Sequence, residues 1–541
     1  MKICASRLWA STPVALDARR HPLQACVGHN VVQGRGFHLC LYHPWPKTSN
    51  LRLAVTNAAR VVFSCRASDS TRSSSGATLG RPNADKEGST MRLFEWLFCL
   101  SFIPIIALPY LPQPWRQRGL FPAALAPALA LAIHLAAEGW RAQLIPLYLL
   151  AALVAAGGMW ATPRRRQAPA RRRGRLASAA IALALVLGST LAGWALPVFT
   201  LPAPTGPYPV GLVNRALVDP ARGRRLMVSV WYPAASGGAP APLTHDPDQV
   251  ATGLANLTGL PALVFQHLRY VQLAASEDVA AQADGVPFPV LVFSHGMVGL
   301  RLQNSSTFQD LASWGYVVVA IDHTDAAAVT VFPDGETRYY SMERFGIPAG
   351  VEPDAALVTE RVFPVWVADQ RFVYDTLEAW AREDPLLAGR LDLARIGSFG
   401  HSFGGATALE VCRVDSRCRA AVDMDGGLYG GSAAMPAVRP LLLMSSADSN
   451  RYPSAIADWT RLIANARADA YWLELPNSGH LSFTFSPLLS PLLAPQGLDP
   501  RGGLRTVDKY LRGFFDRYLR DTPAQPLGPA SPDADVRWRT Q

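Results

Sequence analysis

The pattern of apolar and polar positions divides this chain into three unlike parts. Residues 1–90 hold no sustained period of 2 or 3.6 and end in the polar run Ser68–Thr90, which contains Ser73, Ser74 and Ser75. Such a stretch cannot bury enough apolar surface to offset its ordering entropy. From Met91 the pattern changes, with apolar runs at Trp96–Leu111, Leu120–Ala137, Leu144–Ala161 and Leu176–Phe199. Each is close to the roughly 17–25 residues that cross a bilayer, the first being the shortest. Buried core helices carry more polar positions than these runs do. Pro104, Pro122, Pro127 and Pro146 are better tolerated in lipid-embedded helices than in soluble ones. Residues 91–200 therefore read as a membrane domain of about four transmembrane helices.

A proline-rich linker follows (Pro197, Pro202, Pro204, Pro207, Pro209), extended and semi-rigid. Beyond it, residues 201–541 alternate between strand and helix patterns, which argues for a mostly parallel sheet covered on both faces. Strands are expected at Arg224–Tyr232, Pro289–Phe293, Tyr316–Ile321, Ala394–Phe399, Arg419–Met424, Leu441–Ser445 and Tyr471–Leu475. Amphipathic helices are expected at Gln370–Arg382 and Leu504–Leu519, and Asp248–Leu273 reads as a largely helical apolar insertion. Set between early strands, that insertion is either a cover over the site or an ordinary packing pair.

Composition fits this division: 49% of residues are hydrophobic and only 17% charged. The net charge of +10 does not indicate nucleic-acid binding, because much of it lies in one loop and in the N-terminal tail. Arg164–Arg166, Arg171–Arg173 and Arg175 crowd the connection between the third and fourth runs. The positive-inside bias places that loop in the cytoplasm and residues after 200 on the extracytoplasmic side, integral to an inner or plasma membrane. The same bias opposes moving residues 1–90 outward, with their twelve Lys and Arg against four acids. A translation start at Met91 is the expectation that removes the conflict; otherwise the extension is a disordered tail. Four of the seven cysteines lie in that extension, at spacings that match no zinc pattern. Cys412 and Cys418 could pair on an oxidising side, although two buried thiols are the favoured reading.

The stretch with chemistry in it is Ala394–Ala406, where Gly400-His401-Ser402-Phe403-Gly404 fits the G-x-S-x-G nucleophile elbow. A strand before, a helix after and small residues on either side let a serine sit at the strained apex. Ser402 is the candidate nucleophile. The loop after Pro289–Phe293 is Ser294-His295-Gly296-Met297, placed to give one oxyanion donor. The candidate donors are the Met297 and Phe403 N–H groups. The base must follow the acid in this order of residues, and His480 is the one histidine after Ser402. His295, His323 and His401 come earlier and read as structural or substrate-lining. For the acid, Asp425 and Asp448 stand level on pattern, each just past a strand, whereas Asp423 lies inside its strand.

Pro209-Val210-Gly211, Val230-Trp231-Tyr232-Pro233, Val292-Phe293-Ser294-His295-Gly296 and Gly400 through Thr407 together resemble the plasma-type platelet-activating factor acetylhydrolases. The likeness covers about residues 208–487. It implies an α/β-hydrolase fold, a calcium-independent lipase activity with no metal or organic cofactor, and an acid at the position of Asp425. Gly426-Gly427-Leu428-Tyr429 departs from the family's aromatic stretch after the acid, and the apolar runs are foreign to its mammalian members. The expected function is a membrane-anchored serine hydrolase of lipid or short-chain acyl esters, with the bilayer as partner. A general carboxylesterase or cutinase-like polyester hydrolase is the alternative, and a catalytically dead binding or sensing module a third reading.

Overall fold

The computed structural model describes residues 91–160, 172–283, 285, 287–351, 353–522, 527–529 and 535–539. The readings placed on residues 1–90, and on the arginines at 164–166 and 171, lie outside the described residues.

The apolar runs form helices α1 (Leu93–Leu100), α2 (Ile103–Ala107), α3 (Gln113–Glu138), α4 (Ile145–Trp160) and α5 (Arg172–Ala195). The first run is broken at Ser101–Phe102 and closes in a tight turn over Leu108–Tyr110. Counted as one, Leu93–Tyr110 joins Arg118–Glu138 and Arg173–Ala195 as helices long and apolar enough to cross a membrane. The expected fourth is not: its apolar part is Ala142–Gly157. At 1.5 Å per residue that is roughly 24 Å, short of a hydrocarbon core of about 30 Å. Among the described residues, then, three helices meet the length rather than four.

Helices α1, α3, α4 and α5 share an apolar seam that includes Phe98, Phe102, Leu144, Leu147 and Ala151. One end of the bundle is polar and buried. Arg141 reaches Glu95 at 2.7 Å and the Leu196 carbonyl at the end of α5. Arg92 donates to the Glu138 carbonyl at 2.7 Å.

The soluble part holds strands β1 (Val210–Asp219), β2 (Arg224–Pro233), β3 (Ala275–Glu277), β4 (Phe288–Ser294), β5 (Val317–Asp322), β6 (Val329–Val331), β7 (Thr337–Tyr339), β8 (Leu391–His401), β9 (Cys418–Met424), β10 (Leu441–Ser446), β11 (Ala470–Leu475) and β12 (Arg537–Trp538). Its helices are α6 (Pro247–Thr258), α7 (Ser305–Ser313), α8 (Phe363–Glu383), α9 (Phe403–Val414), α10 (Pro453–Ala464) and α11 (Pro500–Leu519). Among the described residues the main sheet has ten strands in the order β12-β11-β10-β9-β8-β4-β5-β2-β1-β3. The run from β5 to β11 is parallel, while β2 joins β5, and β12 joins β11, antiparallel. Central strands such as β4 and β5 are buried along nearly their whole length. That is why they read as continuous apolar runs rather than alternating ones. Helices α7 and α11 pack on one face, α8, α9 and α10 on the other, so two apolar layers flank the sheet. This is the α/β-hydrolase arrangement the sequence pointed to.

Two connections go beyond the reading of the sequence. The linker is docked, not merely extended: Phe199 is buried against Phe485, with ring centroids 5.6 Å apart. Thr205 N–H donates to Asp310 at 2.8 Å and Gly206 N–H to Ser313 Oγ at 2.9 Å. The insertion forms α6 and a 3₁₀ segment, Ala262–Tyr270, and the latter rests on the polar end of the helix bundle. Tyr270 Oη donates to the Trp140 carbonyl at 2.8 Å, and the Arg92 guanidinium lies over the Tyr270 ring. The insertion's buried Val250, Ala251, Phe265 and Leu268 join the apolar layer on the sheet, as the packing-pair reading expects. Cys412 and Cys418 correct a third reading. They are joined by a disulfide, their Cα atoms 4.8 Å apart, because α9 turns directly into β9 and brings the two ends together.

Candidate active site

Strand β8 ends at His401 and α9 begins at Phe403, leaving Ser402 alone at the turn with φ 57° and ψ −123°. A left-handed φ on a residue with a side chain is strained. The neighbours enforce it. The Ser402 N–H donates to the Met424 carbonyl at 2.8 Å. A Cβ at Gly400 would strike the Gly404 backbone, one at Gly404 the Ser294 carbonyl, and one at Gly405 the Asp423 carboxyl. Both members of the Gly404-Gly405 pair are thus required by contacts, not only by the turn.

Asp425 follows β9 at φ 61°, and its N–H donates to the Met444 carbonyl at 2.7 Å. The carboxylate is fully buried. Its Oδ2 lies 2.7 Å from His480 Nδ1 and accepts from Ser446 Oγ at 3.0 Å and Ser449 Oγ at 2.8 Å. Oδ1 accepts from the Ser446 N–H at 2.7 Å. Burial alone would raise this carboxyl's pKa; the hydrogen bond and charge of His480, with the serine donors, outweigh it and hold the group below the usual range. Asp448 is not part of this arrangement: its side chain is 56% exposed and lies 3.5 Å from Arg451. Of the two acids left level by pattern, the structure brings only Asp425 to His480.

His480 opens the turn after β11, and its carbonyl accepts from His401 Nε2 at 2.8 Å. His401 Nδ1 lies 3.3 Å from Gln303 Nε2, so the elbow histidine ties the turn carrying His480 to the segment after β4. Asp423 sits beneath the elbow, with Oδ1 accepting from the Gly426 N–H at 2.8 Å and Oδ2 buried without a partner among the described residues. Burial pushes its carboxyl well above the usual range, with the Asp425 charge adding to the effect against the Gly426 bond. Sequence reasoning missed Ser446, Ser449 and the role of Asp423. Nothing in Ser445-Ser446-Ala447-Asp448-Ser449 marks which serines face a buried carboxylate and which face water.

On the other side, the Ser294–Met297 loop abuts the elbow; a Cβ at Gly296 would lie 3.3 Å from the Ser402 Cβ. The Met297 and Phe403 N–H groups have no internal acceptor among the described residues. The Phe403 ring is wedged among Trp366, Tyr429 and Phe363, at centroid distances of 4.9, 5.0 and 5.4 Å. Met297, Phe345, Ile347 and Val362 extend this apolar wall. A cavity of about 360 Å³ lies elsewhere, over β1 and β2 and bounded by Trp231, Arg301 and Phe332; none of the candidate catalytic residues lines it.

The model of the family described as platelet-activating factor acetylhydrolase, isoform II, matches residues 195–342 and 384–505, which hold Ser402, Asp425, His480, Met297 and Phe403. Through these residues the chain belongs to that family. It is 28% identical over 199 residues to a probable 1-alkyl-2-acetylglycerophosphocholine esterase of Arthroderma benhamiae, covering 36% of this chain and 43% of that protein. It is 24% identical over 328 residues to the platelet-activating factor acetylhydrolase of Cavia porcellus, covering 54% of this chain and 72% of that protein. Among solved structures it is similar to a ferulic acid esterase from Streptomyces cinnamoneus, with TM-score 0.51 and 28% identity over 63% of this chain and 99% of that one. The chain thus spans less than half the length of one of these curated relatives and nearly three quarters of the other. The acetylhydrolase family match skips residues 343–383, the segment that supplies Phe345, Phe363 and Trp366 to the wall beside Phe403.

Proposed function

We propose that this chain is a membrane-anchored serine hydrolase that cleaves lipid or short-chain acyl esters through an acyl-enzyme. The observation that carries the reading is the 2.7 Å contact between His480 Nδ1 and buried Asp425, beside a serine held at the apex of a strained elbow. In this reading His480 takes the Ser402 proton as the oxygen attacks the ester carbonyl. Asp425 fixes the imidazole tautomer and stabilises its cation. The Met297 and Phe403 N–H groups receive the oxyanion, each worth on the order of 10²–10³ in rate. His480 then protonates the departing alcohol, and water attacks the acyl-enzyme with His480 as base.

The lipid substrate is favoured by the acetylhydrolase relatives and by the helices that abut the domain. An extracytoplasmic position is supported by the arginine cluster at 164–175 and by the Cys412–Cys418 disulfide, which persists in oxidising compartments. The aromatic wall beside Phe403 comes from a segment without a counterpart in the family match, and together with the ferulic acid esterase likeness it favours a second reading, a carboxylesterase acting on other esters. Turnover of p-nitrophenyl esters against truncated-chain phosphatidylcholine by the full chain in detergent separates the two readings. Ser402→Ala should abolish both activities and fluorophosphonate labelling; an unlabelled wild-type protein would overturn the hydrolase reading itself.

A further inference from the structure

The peptide between Gly296 and Met297 carries one oxyanion donor on its nitrogen, in the reading proposed above on which this inference rests. The carbonyl of that same peptide is held from two sides, at 2.6 Å from His295 Nδ1 and at 2.8 Å from the Gly299 N–H. A peptide unit is planar and trans, so its C=O and N–H point in opposite directions. Fixing the carbonyl therefore fixes the aim of the Met297 N–H.

The tautomer of His295 is set by geometry. Its Nε2 lies 3.2 Å from the His323 backbone nitrogen, and a backbone N–H can only donate, so the ring proton is on Nδ1. Burial, with the neighbouring His323 charge, holds the His295 pKa down at about 4, so the ring is neutral near pH 7. The platform behind it is rigid. His323 spans Ser294 Oγ and Asp369 Oδ2, both at 3.0 Å, and its ring stacks on Trp366 with centroids 3.9 Å apart. Asp369 is held in turn by Arg222 at 2.8 Å and Arg224 at 2.7 Å. Beyond the clamped peptide, Val298 stands at φ 58°, costly for a β-branched residue. Its N–H is anchored on the Ala326 carbonyl at 3.0 Å. A loop that holds such a conformation is fixed by its surroundings rather than by its own preference.

We propose that His295 is a positioning residue for the oxyanion hole: its Nδ1–H, kept in that tautomer by the His323 backbone N–H, locks the Gly296 carbonyl and so presents the Met297 N–H to the reacting carbonyl. The structure offers a test by shape. The Asn side-chain amide places its nitrogen near the Nδ1 position and can keep the bond to Gly296. Gln reaches the Nε2 position instead, and Leu offers no donor.

The full chain in detergent is assayed as His295→Asn, His295→Gln and His295→Leu, with a p-nitrophenyl ester and with an alkyl trifluoromethyl ketone that forms an anionic tetrahedral adduct. The expected result is a loss in kcat on the order of 10²–10³ for Gln and Leu with KM within about threefold, as for a removed oxyanion donor. Ketone affinity should fall in parallel, while the Asn variant stays within about tenfold of wild type. The proposal is overturned if Asn falls as far as Leu while melting like wild type, if the loss appears in KM alone, or if ketone affinity does not change. If none of the three variants folds, the histidine is structural and the proposal fails as well. An inactive, unlabelled wild-type protein would instead be a failure of the hydrolase reading, visible before any variant is made.

Discussion

Asp423 and Asp425 share a strand end yet stand in opposite electrostatic states, and each makes an expected outcome. Asp425 is held below the usual carboxylate range, so it contributes stability above about pH 4 that is lost as pH falls further. Asp423 is held above that range: the folded state keeps a proton that the unfolded chain releases above about pH 4. Stability should therefore fall as pH rises through that window, by up to about 1.4 kcal/mol per pH unit. Asp423→Asn keeps an acceptor for Gly426 and should flatten this slope, which melting temperatures at pH 5, 7 and 9 would show. For catalysis, Asp425→Asn should lower kcat on the order of 10⁴-fold through loss of tautomer control, and Asp448→Asn by less than about threefold; steady-state kinetics of the pair decide. These residues were legible to different degrees. Ser402 and His480 announce themselves by motif and by order along the chain. Asp425 needed the family resemblance, because two aspartates after two parallel strands look alike until the histidine chooses one. Ser446 and Ser449 could not be read, since a serine aimed at a buried carboxylate has the same sequence signature as one facing water.

At the scale of elements, the central strands and the amphipathic helices α8 and α11 were legible because burial leaves continuous apolar runs and stripes, whereas the ten-residue β1 and the amphipathic α10 were not. Short pieces were not: β3, β6, β7 and β12 have two or three residues each, too few for any period. Helix α7 was missed for another reason. Its sequence Ser-Ser-Thr-Phe-Gln-Asp-Leu-Ala-Ser is largely polar, yet all nine residues are buried, with side chains such as Gln309 and Asp310 satisfied by the docked linker. The disulfide was missed because six residues of separation say nothing of whether the chain reverses between them. Intact mass after alkylation should show Cys412 and Cys418 protected until a reductant is added. Replacing both by serine should cost about 2 kcal/mol, the loop-closure estimate for so short a loop, measured by denaturant midpoint.

At the scale of the whole molecule, the sequence pattern sets apolar runs before a part that alternates between strand and helix, and it leaves the joint between them blank. Nothing in a proline-rich stretch reveals that Phe199 fills the core of the next domain. Removing residues up to 204 should therefore destabilise the catalytic domain by about 3–6 kcal/mol through loss of buried Phe199 and Leu201. Beginning the chain at Pro197 should not, a comparison that thermal melts of the two truncations make directly. The joint is also doubled, since the Tyr270 turn grips the bundle while Thr205 and Gly206 are pinned to α7. A domain hung on a slack tether would sweep a hemisphere and dilute itself in that volume. One held at two points keeps a single height and face toward whatever plane the helices occupy. Under the proposed function, its encounters with lipid esters would become a two-dimensional problem, governed by how densely substrate is spread in the layer rather than by its amount in the tube. With the protein reconstituted in vesicles, diluting the ester with inert lipid at constant total ester should slow turnover in proportion to its surface fraction; a rate that ignored that fraction would mean the joint works loose.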